Sequence, residues 1–323
     1  MVSHTGRGLP GYLIRAIAET PELGLGHLPG ADRAACVSYH EALAEQIIRD
    51  GARVFYCASG GQDHVALFSE TPWDSRALGQ RVGRIWAVYG PMRPEYAPAW
   101  RQVISAALDH ARAERFSMVD LQVLASGLAV IHALESLGFF WTGTSVSVAW
   151  DLRSPLPTGV ACAAEIREAV PDDMEALEAL AERCIPEHTR FSDDPYLASA
   201  SVPSLFREWA GNSLRGYADF VYVAHLDGVL SGYTAWRTNK LAQQLSGRKY
   251  GTIDLAGVAP EARRRNLFAA LAHAGLTRMQ QEGYLGVEAW THILNTGIQH
   301  ACVNVLGASA RTARHSFHWH VET

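Results

Sequence analysis

Lysine is almost missing from this chain of 323 residues: Lys240 and Lys249 are the two lysines among 28 basic side chains. That bias follows genome composition and carries no functional reading. No run of 18 apolar residues occurs, so nothing in the sequence is long enough to span a bilayer. The N-terminus lacks a basic stretch followed by an apolar one, and the expected location is cytoplasmic, with no membrane partner. The five cysteines, Cys36, Cys57, Cys162, Cys184 and Cys302, are odd in number, with no Cys-x-x-Cys spacing. This excludes a disulfide framework and a zinc module, and no metal is expected. Strong charge of either sign is also missing. A net charge of −5, spread evenly over the two halves, argues against broad binding to DNA, so any nucleic-acid contact has to be local.

What is present is core. With 48% hydrophobic residues the chain can bury two ordinary cores, which makes two domains the expectation. Residues 1–64 form an N-terminal extension, rich in Gly and Pro up to residue 30 and helical from Tyr39 to Ile48, with no functional reading. Val65–Phe68 and Arg81–Val88 read as strands with Trp73-Asp74-Ser75 in a turn between them. A helix over 97–113, a strand over 118–123, a helix reaching Leu137-Gly138 and a strand over 145–150 complete the stretch 65–153. Ser154-Pro155-Leu156-Pro157-Thr158-Gly159 is a linker by its turn chemistry. The stretch 164–323 opens with a strand at 164–168 and a helix for which Asp172 and Glu175 fit a capping box. Asp227-Gly228 joins two strands, 220–225 and 229–236, as a hairpin. Leu306-Gly307 and the strand near 315–319 echo Leu137-Gly138 and the strand at 145–150, a weak internal repeat.

The strand 251–258 leads through Val258-Ala259-Pro260-Glu261 into Arg263-Arg264-Arg265-Asn266-Leu267-Phe268. Apolar positions 271, 272, 275, 276 and 279 then keep helical spacing to Gly283. The helix therefore starts near Leu267. Its first-turn N–H groups and its dipole favour an anion, beside three arginines. The plain alternative is a solvated basic turn. No such loop precedes the long helix of the first copy, where Pro91-Met92-Arg93-Pro94 stands, so that copy is not expected to bind a donor.

The order strand, Val-x-Pro, Arg-rich loop, helix, strand, Asn295, helix, Leu-Gly, strand resembles the Gcn5-related N-acetyltransferase (GNAT) superfamily. Arg263 fits the first position of the family's phosphate loop, while Asn266 and Phe268 replace its two glycines. Asn tolerates a left-handed backbone, whereas Phe268 would narrow the approach of a pyrophosphate. Arg190-Phe191, Asp194-Pro195, Trp209, Trp73-Asp74-Ser75, Gly79, Gly83-Arg84-Ile85 and Ser316-Phe317-His318-Trp319 are similar to the TDP-fucosamine acetyltransferase group, over residues 65–320. The resemblance implies an α+β fold with a mixed sheet, made of tandem GNAT-like domains of which the N-terminal copy is degenerate.

For function it implies acyl transfer from acetyl-CoA to the amine of a small acceptor, such as an amino sugar. The donor would lie against a splayed strand, Leu255–Val258, with Ala256 and Val258 beside its arm, Gly257 letting another backbone come close, and the loop Arg263, Arg264, Arg265, Asn266, Leu267 and Phe268 on its phosphates. Asn295 would fix it through its amide, or cap a helix. Asp254 is the favoured base, Glu288 or His292 the other candidates. Cys302 stands where the superfamily often has a tyrosine acid, as a proton donor or as packing. The acceptor would enter over helices at 172–215, near His188, Arg190 and Phe191, with Arg190 suited to a phosphate or carboxylate. Two further readings are a donor carried on tRNA or an acyl-carrier protein, gripped by the arginines, and a non-catalytic partner protein.

Overall fold

In a computed structural model, residues 9–321 are described except 27, 186 and 198–200. The first half runs α1 (Gly11–Glu19), α2 (Arg33–Arg49), β1 (Arg53–Ser59), β2 (Gln62–Glu70), α3 (Pro72–Leu78), β3 (Val82–Tyr89), α4 (Ala97–Ala113), β4 (Met118–Leu124), α5 (Leu128–Ser136) and β5 (Phe140–Asp151). The second runs β6 (Glu165–Glu168), α6 (Met174–Arg183), α7 (Ser201–Asn212), β7 (Phe220–Leu226), β8 (Val229–Thr238), α8 (Lys240–Ser246), β9 (Tyr250–Val258), α9 (Leu267–Gln281), β10 (Gly286–His292), α10 (Thr296–His300) and β11 (Ser309–His320). Helical periodicity explains α4, whose Trp100, Val103, Ile104, Ala107, Leu108 and Ala111 form one buried stripe. Asp227 and Gly228 both take positive φ, as a two-residue hairpin between β7 and β8 requires.

The internal repeat is explicit in the register. β3 runs parallel to β4 from Val82↔Met118 to Ile85↔Leu121, and β9 runs parallel to β10 from Tyr250↔Gly286 to Ile253↔Ala289. Beyond those four residues each pair separates. Each also carries one extra residue against its antiparallel neighbour at the point of separation: Trp86 in β3 and Asp254 in β9. Such bulges re-aim a side chain and bend the strand. The repeats then exchange their last strands. β5 pairs with β10 of the second copy, and β11 pairs with β4 of the first, giving the sheet order β1-β2-β3-β4-β11-β5-β10-β9-β8-β7-β6.

A buried ionic chain crosses this exchange. Arg84 donates to Asp120 (2.8 Å) and Asp74 (3.1 Å), and His318 Nε2 lies 3.7 Å from the other Asp120 oxygen. His318 Nδ1 and His320 Nε2 meet Asp194 Oδ2 at 2.6 and 2.9 Å. Burial alone would raise Asp120, yet Arg84, Arg190 and His318 hold it down to about 2. Asp74, Arg84, Arg190, Asp194 and His318 are among the residues that carried the resemblance, as are Trp73 and Trp209, whose rings meet edge to face; Asp120 and His320 were not anticipated.

Three expectations are corrected. Trp73-Asp74-Ser75 lies in helix α3, closed by left-handed Gly79, because Asp74 turns inward to Arg84. Asp172 and Glu175 do not form the capping box; Asp173 accepts from Val170 N–H (2.8 Å) and pairs with Arg167, since the first turn starts at Pro171. The stretch 1–64 supplies α1, α2 and the strand β1, because alternation in Phe55 and Cys57 buries one face of residues 53–59.

Asp194 lies below its ordinary range: burial opposes its charge, but the hydrogen bonds from His318 and His320 prevail. A depressed carboxylate stabilises fully above its unfolded pKa of about 4 and less as pH falls through the folded value. Asp194→Asn should therefore cost about 3 kcal/mol or more in urea unfolding at pH 7, and much less at pH 2 to 3.

Candidate active site

The separation of β9 from β10 leaves backbone donors without a strand partner. Ala259 N–H bonds the Ser231 carbonyl on β8 (2.8 Å), so strand alternation turns the N–H groups of Val258 and Ala256 the other way, into the gap. The gap opens into a cavity of about 290 Å³. Its walls come from β9 and β10, from β5 (Gly143, Ser145, Val148), from β11 (Arg314, Ser316), from α7 (Phe206, Trp209) and from the loop His188–Phe191.

At the end of β9 the phosphate-loop candidates hold an unusual backbone. Arg264 and Asn266 both take the left-handed conformation, φ 64° and 59°. Asn266 is the N-cap of α9 without a side-chain cap bond, and Ala270 is the first residue to bond back to it, so the N–H groups of residues 267–269 remain open. The side chains of Arg263, Arg264 and Arg265 are exposed and form no ion pair among the described residues. The obstruction expected of Phe268 does not arise: its ring is buried in the core under α9 and lines the cavity, while Leu267 packs into the neighbouring core. Gly257 makes room for the ring of Tyr233 and for Cys184 rather than for another backbone.

The first copy shows the same gap filled. Gly90, which matches Val258 in the register, gives its N–H to Thr20 Oγ1 (2.8 Å), and Met92 gives its carbonyl to Ala129 (3.0 Å).

The base candidates separate by their partners. Asp254 lines the cavity, but Trp209 Nε1 donates to one oxygen (2.9 Å) and Arg237 to the other (3.2 Å). Both of its oxygens are therefore already engaged by donors of the protein. Glu288 is half-buried and outside the cavity lining, its charge felt by Arg314 and Tyr39. Sequence reasoning missed the element that organises the imidazoles, Asp193. Its Oδ1 lies 3.2 Å from His188 Nδ1, and its Oδ2 lies 3.9 Å from His292 Nε2. The two rings stack at 5.6 Å and 24°, and both line the cavity. Burial lowers His292, against Asp193, so it is neutral near pH 7. Gly143 is needed beside it, because a Cβ there would lie 2.8 Å from His292 Nε2.

Asn295 lines the cavity and makes no side-chain cap bond to α10, which leaves its amide to the cavity. Cys302 is fully buried among apolar side chains, away from the cavity, and burial pushes its thiol up to about 12. That position corrects the expectation of an acid there: the thiol is packing. Arg190 and Phe191 both line the cavity. Arg314 also lines it and was not anticipated, since nothing in a terminal strand marks which arginine faces inward.

No family model matches the chain, and no curated protein matches it by sequence. Among solved structures, a GCN5-related N-acetyltransferase from Sphaerobacter thermophilus superposes with a TM-score of 0.58 at 16% identity, covering 87% of this chain and 86% of that one. A GCN5-related N-acetyltransferase from Kribbella flavida gives 0.52 at 16%, covering 86% and 92%. A tandem GNAT protein from the clavulanic acid biosynthesis pathway gives 0.54 at 15%, covering 97% and 95%. The chain has the GNAT fold, in tandem.

The left-handed N-cap is testable without a ligand. Asn266→Gly should leave stability unchanged or slightly raised, whereas Asn266→Val should lose about 1 to 2 kcal/mol in urea unfolding, because a β-branched residue resists positive φ.

Proposed function

We propose that the chain is an N-acyltransferase that moves an acyl group, acetyl in the simplest case, from acyl-CoA to the amine of a small acceptor. The observation that carries this reading is the juxtaposition in the second copy of the open β9 edge and the uncapped start of α9 beside three free arginines. One end offers donors for a thioester arm, the other for phosphates.

The chemistry is set by placement. The donor's phosphates sit on the N–H groups of residues 267–269 and on the arginines, and its carbonyl oxygen accepts from the β9 edge. The acceptor amine attacks the thioester carbon, the oxyanion is held by the N–H of Ala256 or Val258, and collapse expels the CoA thiolate. With a thiol pKa of about 8.5, that leaving group departs without help from Cys302. His188 takes the amine proton. Its Nδ1 is held by Asp193, which leaves Nε2 to accept, and neutral His292 stacks beside it without opposing the new charge. Asp254 keeps Trp209 and Arg237 in place.

Arg263→Ala and Arg265→Ala should each weaken acetyl-CoA binding by about tenfold or more in calorimetry, with thermal stability unchanged. Parent-like binding in both would reduce the loop to a solvated turn. Absence of CoA binding, with turnover from aminoacyl-tRNA or an acyl-carrier protein that falls in these variants, would transfer the role to a carried donor.

His188→Gln should lower kcat by about 10²-fold or more with donor binding kept, and should abolish the acidic limb of the pH profile, where protonation silences the base. Asp254→Asn should retain that limb. A lost limb in Asp254→Asn and a kept one in His188→Gln would make Asp254 the base.

A further inference from the structure

The far end of the cavity holds Arg190, expected near the acceptor, and Arg314, which had no expected role; neither takes part in the acyl-transfer steps above. Arg314, on β11, stacks its guanidinium on Trp290 at 4.1 Å. It makes no hydrogen bond and no ion pair among the described residues, its Nε is buried without a hydrogen-bond partner, and the charges of Glu288 and Asp120 reach it only at longer range. Arg190 lies across the same space over the Phe191 ring (4.2 Å), its Nε also buried without a hydrogen bond and 3.7 Å from Asp120. Asp120 takes its hydrogen bond from Arg84 at 2.8 Å, so it faces Arg190 as a counter-charge but accepts no hydrogen bond from it. Ser145, Ser316 and Gln122 line this end, with Gln122 donating to Ser316 Oγ (3.1 Å).

A guanidinium nitrogen buried without a hydrogen-bond acceptor is costly, and an anionic ligand that supplies the acceptor would remove that cost. Burial pulls Arg314 down to about 10, which still leaves it charged at neutral pH. Its planar fork, fixed on an indole face, suits a two-oxygen anion.

We infer that Arg314 and Arg190 form an anion subsite at the seam of the two copies, so that the acceptor is a small amine carrying a carboxylate or phosphate group. This rests on the acyl-transfer reading for the word acceptor; the anion site itself does not. A cavity of about 290 Å³ that must also admit the acyl end of the donor leaves room for a compact molecule. The amine then points toward β9 and the imidazoles, the anion toward β11.

The experiment has a binding arm and a turnover arm, both on the full chain. In the first, acetate, succinate and inorganic phosphate are titrated against thermal stability. The parent and Arg311→Gln, an exposed control on the same strand, should gain several degrees in Tm, saturating in the millimolar range; Arg314→Gln should gain none. Unliganded Arg314→Gln should melt no lower than the parent, because an unpaired cation has been removed, whereas a structural arginine would give a lower Tm. Arg314→Lys, which keeps the charge without the fork, should respond weakly. A larger response to succinate than to phosphate selects the carboxylate, the reverse selects phosphate. No anion response in the parent, or equal responses in the parent and Arg314→Gln, overturns the subsite.

In the second arm, CoA release from acetyl-CoA is monitored with matched amines: amino acids against their amides, and O-phosphoethanolamine against ethanolamine. The anionic member should be favoured by at least about tenfold in kcat/KM, and Arg314→Gln should erase that preference through KM. Equal rates for charged and neutral partners overturn the acceptor assignment. No turnover of any amine, with the anion response intact and dependent on Arg314, removes the acyl-transfer reading and leaves the subsite standing.

Discussion

Hydrogen bonding of β5 to β10, and of β11 to β4, is the constraint on which the rest depends. A strand inserted into the other copy's sheet satisfies its backbone only there, so neither copy has a complete sheet alone. The cavity is a consequence of this exchange. β5 from the first copy supplies Gly143, Ser145 and Val148, and β11, running back into the first copy, supplies Arg314 and Ser316. The degenerate copy is thus a wall of the site, which gives a physical reason for its retention without a donor loop of its own.

One backbone framework yields one open gap and one closed gap. Both copies separate after four parallel pairs and both carry the bulge, so the strand geometry is the same. The difference lies in the segments on either side of β3. After it, Pro91 and Pro94 take the place of the arginine loop; before it, the segment after α1 returns to give Gly90 its acceptor in Thr20. Filling a gap with a hydroxyl from the same chain removes the unpaired donor that would otherwise favour a ligand. In the second copy no such segment is present among the described residues, and the donors of Ala256 and Val258 stay turned to the cavity.

How much of this the sequence revealed depends on range. Periodicity placed α4 at its observed ends, Gly283 closed α9, and Asp227-Gly228 marked the hairpin, because each depends on neighbours within a few residues. The start of α9 at Leu267 and the left-handed Asn266 were legible for the same reason. Trp73-Asp74-Ser75 read as a turn because what holds it helical is Arg84, on another element. Asp254 read as an open carboxylate because Trp209 and Arg237 reach it from other strands and helices. Asp193 and Arg314 had no local signature at all. One matters for its distance to His188, the other for a cavity that exists once strands of both copies, α7 and a loop have met.

The exchange itself raises a question of specificity, since β5 and β11 are equivalent strands and each could in principle serve its own copy. Trp150 and Trp319 occupy matching positions, and apolar packing alone does little to distinguish them. The polar register does. On β11, His318 stands opposite Asp120, while on β5 Ala149 stands opposite Glu288. Placing β5 beside β4 would set Ala149 against Asp120 and strip that fully buried carboxylate of an imidazole. It would also remove His318 and His320 from Asp194. Asp120 would keep Arg84, but buried Asp194 would be left with the Tyr196 N–H alone, and a buried carboxylate deprived of its ionic partners costs several kcal/mol, more than an exchange of equivalent apolar contacts returns. The ionic chain from Asp74 to His320 therefore selects the pairing, and through the pairing it decides which arginines face the cavity.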